Sequence, residues 1–297
     1  SLEHDMEVIR TIEEMREFTK PYRLADKDIG FVPTMGALHK GHVSLVERSA
    51  EENDITVASI FVNPTQFMPG EDFEKYPRAF ERDCDLAEAA GAAAVFAPTA
   101  DEMYPGKILT SVATAILPDR LCGMSRGAGH FRGVCVVVAK LFNIVQPARA
   151  YFGQKDAQQA VIIGKMAHDL DFPIEITVCP TVREADGLAM SSRNAYLSEP
   201  ERKLAPTLYR ALCLAREKVR GGERNALQVV AAAMEEIERV SQEIQVDYID
   251  IVDPEGLQEV ETIGDMVLMA GAVRIGNTRL IDNLIFHPER GPWDEKA

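Results

Sequence analysis

Apolar residues follow two rhythms along this chain, and their alternation sets the first expectation of architecture. Ile29-Gly30-Phe31-Val32-Pro33-Thr34 and Thr56-Val57-Ala58-Ser59-Ile60-Phe61-Val62 are nearly unbroken apolar runs, the pattern of strands buried on both faces of a parallel sheet. Ala93–Pro98, Ala148-Arg149-Ala150-Tyr151-Phe152 and Ile174–Val178 are shorter runs of the same kind. Between them the spacing turns helical. Val43, Leu45, Val46 and Ala50 mark a helix beginning near Gly41, and Phe80, Leu86 and Ala90 mark one over 78–90. Val134–Val145 and Ala157 to about Leu170 predict two more. Strand alternating with helix predicts a doubly wound parallel sheet of the α/β class.

After Val182 the character changes. Helical patterns over Glu199–Arg220 and Asn225–Gln242 flank Gly221-Gly222, and strand-like pieces follow at Val246–Val252, Met266–Met269 and Arg279–Ile285. These predict a second, smaller α/β domain with the boundary near 182–190, dividing the chain into 1–182 and 183–297. A length of 297 residues fits the same division into two domains. The tail after Phe286 is expected to be loosely held, and Ser1-Leu2-Glu3-His4-Asp5 ahead of Met6 reads as an added remnant.

Composition narrows the function classes. With 46% hydrophobic and 27% charged residues the chain is an ordinary globular protein with material for a substantial core. No apolar run approaches the roughly 18 residues that span a bilayer, and the N-terminus lacks an apolar targeting core, so no membrane association is expected. A formal net charge of −15 argues against nucleic acid as partner, because such binders carry a basic stripe. Five scattered cysteines, Cys84, Cys122, Cys135, Cys179 and Cys213, form no C-x-x-C pair. That favours buried thiols in a reducing cytoplasm over disulfides or a zinc site.

The acidity makes certain basic groups conspicuous. Lys40, Arg126, Arg132, Lys155 and Arg193 all lie in or beside turns rich in glycine or serine. Each taken alone reads equally as a surface ion pair of small energetic weight; their shared context points to a small anionic ligand. The sharpest segment is His39-Lys40-Gly41-His42, just behind Met35-Gly36-Ala37-Leu38 and the first apolar run. A helix N-terminus offers unpaired N–H donors and the positive end of a dipole. Two imidazoles added there suit a phosphate, although a histidine at a helix start is also commonly a cap. Gly36 and Gly41 have P-loop spacing, but His42-Val43 stands where Lys and Ser or Thr are needed. The dinucleotide glycine fingerprint is missing as well, since Gly127 and Gly129 are followed by Gly133 at the wrong distance.

Other segments carry similar chemistry. Asn63 and Gln66 are amides at the carboxyl end of a predicted strand, where ligands bind in open α/β sheets. Gly153-Gln154-Lys155-Asp156 follows a strand and opens a helix whose first turn holds Gln158 and Gln159. Met190-Ser191-Ser192-Arg193 puts two hydroxyls and a guanidinium in a loop near the domain junction, and residues 125–132 form a glycine-rich basic loop or flap. No wider cysteine or carboxylate pattern surrounds His39 and His42, so zinc is not expected. These residues support binding a nucleoside triphosphate and stabilising charge on a transferring phosphorus; they leave the second substrate open.

His39-Lys40-Gly41-His42 resembles the His-Ile-Gly-His element of nucleotidylyltransferases and class I aminoacyl-tRNA synthetases, and Met190-Ser191-Ser192-Arg193 resembles their Lys-Met-Ser-Lys-Ser element. Pro33–His39, Ser59–Pro64, Tyr76-Pro77-Arg78, Phe152–Asp156 and Asp186–Asn194 together are similar, in order and spacing, to the pantoate–β-alanine ligase family across residues 6–285. The resemblance implies a homodimer, each chain a Rossmann-like domain with a smaller lid. It implies an AMP-forming ligase using ATP and Mg2+, in which pantoate becomes a pantoyl adenylate and β-alanine then displaces AMP. ATP contacts are implied for Met35, Gly36, Ala37, Leu38, His39, Lys40, Gly41 and His42. They extend to Gly153, Gln154, Lys155, Asp156, Val182, Met190, Ser191, Ser192 and Arg193. His42 matches the proton donor with His39 and Lys155 beside it; Gln66 and Gln159 match the pantoate amides, Gln66 also near β-alanine. Two departures stand out: Thr65 replaces a frequent methionine, and Arg126-Gly127-Ala128-Gly129-His130 replaces Arg-Pro-Gly-His. A sibling nucleotidylyltransferase releasing an adenylylated product and a nucleotide sensor without turnover are the competing expectations.

Overall fold

Each apolar run predicted as a buried strand pairs in parallel with its neighbours. The computed structural model describes residues 6–289, without the side chains of Ser125, Arg126 and Ala128. The expectations for 1–5, for the tail from 290 and for the Arg126 guanidinium therefore lie outside the described residues. In chain order the first elements are β1 (Glu7–Ile9), α1 (Ile12–Leu24), β2 (Ile29–Thr34), α2 (Lys40–Glu52), β3 (Ile55–Ile60), α3 (Phe80–Ala89), β4 (Ala94–Phe96) and α4 (Ala100–Met103). Then come α5 (Cys122–Arg126), α6 (Ala128–Val145), β5 (Arg149–Gly153), α7 (Ala157–Asp169) and β6 (Glu175–Cys179). The last are α8 (Glu199–Leu204), α9 (Thr207–Arg220), α10 (Ala226–Val240), β7 (Ile244–Val252), β8 (Val267–Ile275) and β9 (Thr278–Phe286).

Two compact units emerge. Residues 6–115, 126–153 and 162–179 form the first; 116–125, 154–161 and 180–289 form the second. The sequence pattern places one cut at 182/183, whereas two short excursions from the N-terminal part, one of them carrying Lys155, belong physically to the second unit.

In the first unit six parallel strands run in the order β1-β4-β3-β2-β5-β6. This is the expected doubly wound sheet. Strand order reverses between β2 and β5, the switch point where open sheets bind ligands beyond their carboxyl ends. Val32, Ala58 and Val95 pack with Leu45 and Val46 of α2 and Ala87 of α3 on one face. Alternation turns Phe31 and Val57, both fully buried, to the other face.

α6 begins well before the predicted Val134. Residues 128–132, expected as a loop or flap, form its first turn, opened by Gly127 at φ 77°, a value that glycine adopts without steric cost. The helix lies close against the turn Pro64–Gln66. A Cβ on Gly133 would stand 2.3 Å from the Thr65 carbonyl oxygen, so only glycine permits that approach.

The second unit is built on an antiparallel sheet, β7-β8-β9. α9 contributes Leu208, Leu212 and Val219, and α10 contributes Val229 and Ile237, to a core shared with Ile249, Met269 and Leu284. The helix predicted over Glu199–Arg220 is two helices: Ala205 keeps helical backbone at φ −53° and ψ −37°, but Pro206 has no N–H to continue the ladder and stands as the N-cap of the next helix. β8 is longer than the Met266–Met269 run suggests. Ala270, Gly271 and Ala272 are poor strand formers by propensity, yet small residues fit here: a Cβ on Gly271 would stand 2.8 Å from Leu208 Cδ1. Among the described residues no helix is long and apolar enough to cross a membrane.

Candidate active site

In the first unit, β2 delivers its carboxyl end to a turn that only unusual backbone can make. Gly36 has φ 81° and Ala37 has φ 51°, the left-handed region that costs a non-glycine residue free energy. Asp83 of α3 holds that turn. Its Oδ2 accepts the Ala37 N–H and its Oδ1 the Leu38 N–H, both at 2.7 Å, and the residue is 1% exposed. The Thr34 hydroxyl donates to the Ser59 carbonyl at 2.6 Å and accepts the Gly36 N–H at 3.1 Å.

His39 then caps α2. Its Nδ1 accepts the Gly41 N–H at 3.1 Å, and His42 Nδ1 accepts the His39 N–H at 3.4 Å. A ring nitrogen that accepts carries no proton. Both imidazoles therefore carry their proton on Nε2, which makes each Nε2–H a donor. The ring centroids lie 4.1 Å apart. The two readings of a histidine at a helix start, cap and ligand donor, are thus compatible: one nitrogen caps while the other stays oriented for chemistry at the positive end of the helix.

Beside it lies a buried amide network. Asn63 Oδ1 accepts from the Thr65 backbone N–H (3.3 Å), the Thr65 hydroxyl (2.9 Å) and the Tyr104 hydroxyl (2.9 Å). Its Nδ2 consequently donates, to Gln66 Oε1 at 3.0 Å and the Gly133 carbonyl at 3.2 Å. Gln66 is thereby fixed with Oε1 consumed and Nε2 facing the sulfur of Met35 at 3.1 Å. Its carbonyl meets His130 Nδ1 at 2.7 Å. Burial raises the Tyr104 pKa, opposed by its hydrogen bond with Thr65, so the hydroxyl stays a donor.

In the second unit, Gln154, Lys155 and Asp156 form a 3-10 turn ahead of α7. Lys155 Nζ lies 3.5 Å from Asp156 Oδ1, with the lysine side chain 19% exposed. Residues 182–190 form a hairpin, closed by Met190 N–H to Val182 O at 3.0 Å and Glu184 N–H to Leu188 O at 2.8 Å. Gly187 turns it at φ 93°. The Ser191 hydroxyl then accepts the Arg193 N–H at 3.3 Å. Arg183 donates to both oxygens of Asp282 at 2.6 and 2.9 Å. Burial works against its charge, and that bidentate pair outweighs burial and holds its pKa above the ordinary value.

Leu38 is a core residue, 1% exposed, and its N–H is taken by Asp83, as is that of Ala37. Lys40 is exposed at the head of α2. Gln158, grouped with Gln159 on sequence, is a structural residue: its Nε2 donates to the Leu117 and Arg120 carbonyls at 2.9 and 2.6 Å. Gln159 is partly exposed. Asp83, Tyr104, Asp282 and Asn283 carry no motif and were not expected. Asp83 had a legible signal, since it shares the i, i+4, i+7 stripe of α3 with Ala87 and Ala90, an acid on a buried face.

Comparison with known proteins extends this geometry. The family model described as pantoate-beta-alanine ligase matches residues 7–285. The pantothenate synthetase of Thermotoga petrophila is 52% identical over 280 residues, covering 94% of this chain and 99% of that protein. That of Moorella thermoacetica is 54% identical, covering 94% and 98%. The crystal structure of the Thermus thermophilus pantothenate synthetase superposes with a TM-score of 0.90 at 45% identity, covering 96% of this chain and all of that one. A Francisella tularensis pantoate-beta-alanine ligase, described as complexed with beta-gamma ATP and beta-alanine, gives 0.77 at 32% identity, covering 97% and 99%. A left-handed turn held by a buried acid, two capping histidines and an oriented glutamine sit on a chain matched from end to end of its fold: it belongs to the pantoate–β-alanine ligase family.

Proposed function

We propose that this chain condenses pantoate with β-alanine to give pantothenate, with ATP converted to AMP and pyrophosphate through a pantoyl adenylate. The observation that carries the reading is the pair of imidazoles at the head of α2, each with Nδ1 engaged by a backbone N–H and Nε2–H serving as donor. A pantoate carboxylate oxygen attacks the α-phosphorus, and the bond to the pyrophosphate oxygen breaks. Negative charge grows on the phosphoryl oxygens and the leaving group. Donors aimed there by fixed backbone bonds stabilise the transition state more than the ground state. In this reading His42 and His39 serve that role with Lys155, and Met35–His42, Gly153–Asp156, Val182 and Met190–Arg193 contact ATP.

Gln66 and Gln159 bind pantoate, Gln66 also lying near β-alanine. A neutral amide holds the acid's oxygens without the deep electrostatic well of an ion pair, so the carboxylate keeps its nucleophilicity. The β-alanine amine then attacks the acyl carbon, and AMP leaves as the amide forms. Residues 1–182 serve ATP and pantoate binding and 183–297 serve as a lid that keeps the mixed anhydride from water.

Mg2+ accompanies the triphosphate. No cluster of three or more His, Cys, Asp or Glu able to hold a metal ion exists among the described residues. That fits a cation held largely by substrate phosphates and water. The five cysteines are free thiols, in keeping with a cytoplasmic enzyme. We also propose a homodimer, for which the exposed Ile108 and Leu109 offer apolar contact surface; light scattering on the purified chain checks it.

Supplying ATP, pantoate and β-alanine and following all products tests the function. AMP, pyrophosphate and pantothenate are expected in equal amounts. ADP formation, or AMP release indifferent to pantoate, would overturn the reading. Accumulation of a stable adenylylated product with β-alanine present would favour a sibling nucleotidylyltransferase instead.

A further inference from the structure

Two adjacent residues of β9 reach in opposite directions. Leu280, Leu284 and Phe286 of β9 belong to the apolar core, and strand alternation puts Asp282 on their face and Asn283 on the other. Asp282 is 5% exposed and Asn283 2%. Burying two polar side chains in a strand is costly unless every group is satisfied. Here they are satisfied by the two segments of the second unit that carry candidate nucleotide contacts.

On one face, Asn283 Nδ2 donates to the carbonyls of Gln154 and Lys155 at 2.9 and 3.1 Å. Its Oδ1 accepts from Gln154 Nε2 at 3.2 Å. All of its side-chain hydrogen-bonding groups are thereby spent on one 3-10 turn, the one that bears Lys155. On the other face, Asp282 takes the Arg183 guanidinium, which also donates to the Gly187 carbonyl at 3.1 Å and stacks on the Tyr209 ring at 3.7 Å. That grips the hairpin leading to Ser191, Ser192 and Arg193. The Asn283 N–H donates to Asp282 Oδ1 at 2.8 Å, so the two grips are tied to each other.

We propose that Asp282 and Asn283 are a positioning pair that fixes the Gln154–Asp156 turn and the hairpin before Arg193 in one register, and that Asn283 acts on turnover through Lys155. The inference deepens the ligase reading above and rests on it. Lys155 precedes the 182/183 cut that the sequence pattern suggests but belongs to the second unit, where a residue nearly 130 positions downstream holds the Gln154 and Lys155 carbonyls.

A double-variant cycle on the full chain tests it, with pantothenate formation and melting temperature read for each variant. Asn283→Ala is expected to lower kcat/KM for ATP by about tenfold or more, since small displacements of a positioned group cost this much. KM for β-alanine should stay within about twofold of the parent. In the Lys155→Ala background, adding Asn283→Ala should cost less than about threefold more, because residues acting as one unit are not additive. Asn283→Ser, which keeps a hydroxyl donor for one carbonyl, should recover part of the loss and carries the same cycle if the alanine variant does not fold. Losses that multiply across the cycle, or a β-alanine KM that rises in step with that for ATP, would show a general structural role and overturn the proposal. A parent enzyme that makes no pantothenate would remove the ligase reading and this inference together; a fully active parent with indifferent Asn283 variants would remove the inference alone.

Discussion

Replacing Asp83 with asparagine should disable the site from a residue that lies outside every motif. Its two oxygens accept the Ala37 and Leu38 N–H groups, both at 2.7 Å. Asparagine has one oxygen and one NH2, so one backbone donor must face another donor. Losing a hydrogen bond to a charged acceptor costs about 1.5–3 kcal/mol, and stranding a buried N–H costs about 1–3 kcal/mol. Together these give a destabilisation of about 2.5–6 kcal/mol, which corresponds to a drop in melting temperature on the order of 10 °C for a protein of this size. The same bonds hold Ala37 at φ 51°, two residues ahead of His39. A turn relaxed by about 1 Å would lower turnover by roughly 10²-fold. Thermal unfolding followed by circular dichroism, with steady-state rates taken well below the transition, reads both numbers. An Asp83→Asn variant that melts within about 2 °C of the parent and turns over normally would refute the assignment, since each lost bond should shift the transition by more than that.

His42→Ala should abolish most turnover at little cost in stability, because the cap it removes is long, at 3.4 Å; near-parental turnover would take His42 out of the mechanism. Gly133→Ala forces a Cβ to 2.3 Å from the Thr65 carbonyl oxygen. It should destabilise by about 1–3 kcal/mol through overpacking and raise KM for pantoate as the Gln66 turn shifts; an unchanged KM and melting temperature would contradict the close approach. Asp250 has its pKa raised by burial and by Glu259. Its penalty is therefore absent below the ordinary value of 3.8 and complete once pH exceeds the raised one. Asp250→Asn should raise the melting temperature at neutral pH and not in acid, and a gain independent of pH would exclude this cause.

The fold was largely legible because both-face burial leaves an unbroken apolar run. Thr56–Val62 and Ala148–Phe152 could be read that way, and the sheet that follows is β3 and β5 with their neighbours. β8 was half hidden, since Ala270-Gly271-Ala272 owes its place to the side chains of α9 rather than to its own propensity. The start of α6 was hidden by its glycines, of which Gly133 serves close packing against Thr65 and Gln66 and Gly129 lies against Met68. At the site, motifs announced the groups that face a ligand: His39, His42, Gln66, Lys155 and Arg193. They were silent about the groups that aim them. Asn63 orients Gln66, Asp83 holds the turn before His39, and Asn283 holds the turn of Lys155; the last two do so through contacts distant in sequence.

Exchange of labelled pyrophosphate into ATP, measured with pantoate present and β-alanine withheld, is the most direct test of phosphoryl activation at this site. Exchange should depend on pantoate, proceed without the amine and fall to background in His42→Ala. Exchange that appears only when β-alanine is added, or that persists in the variant, would contradict the account.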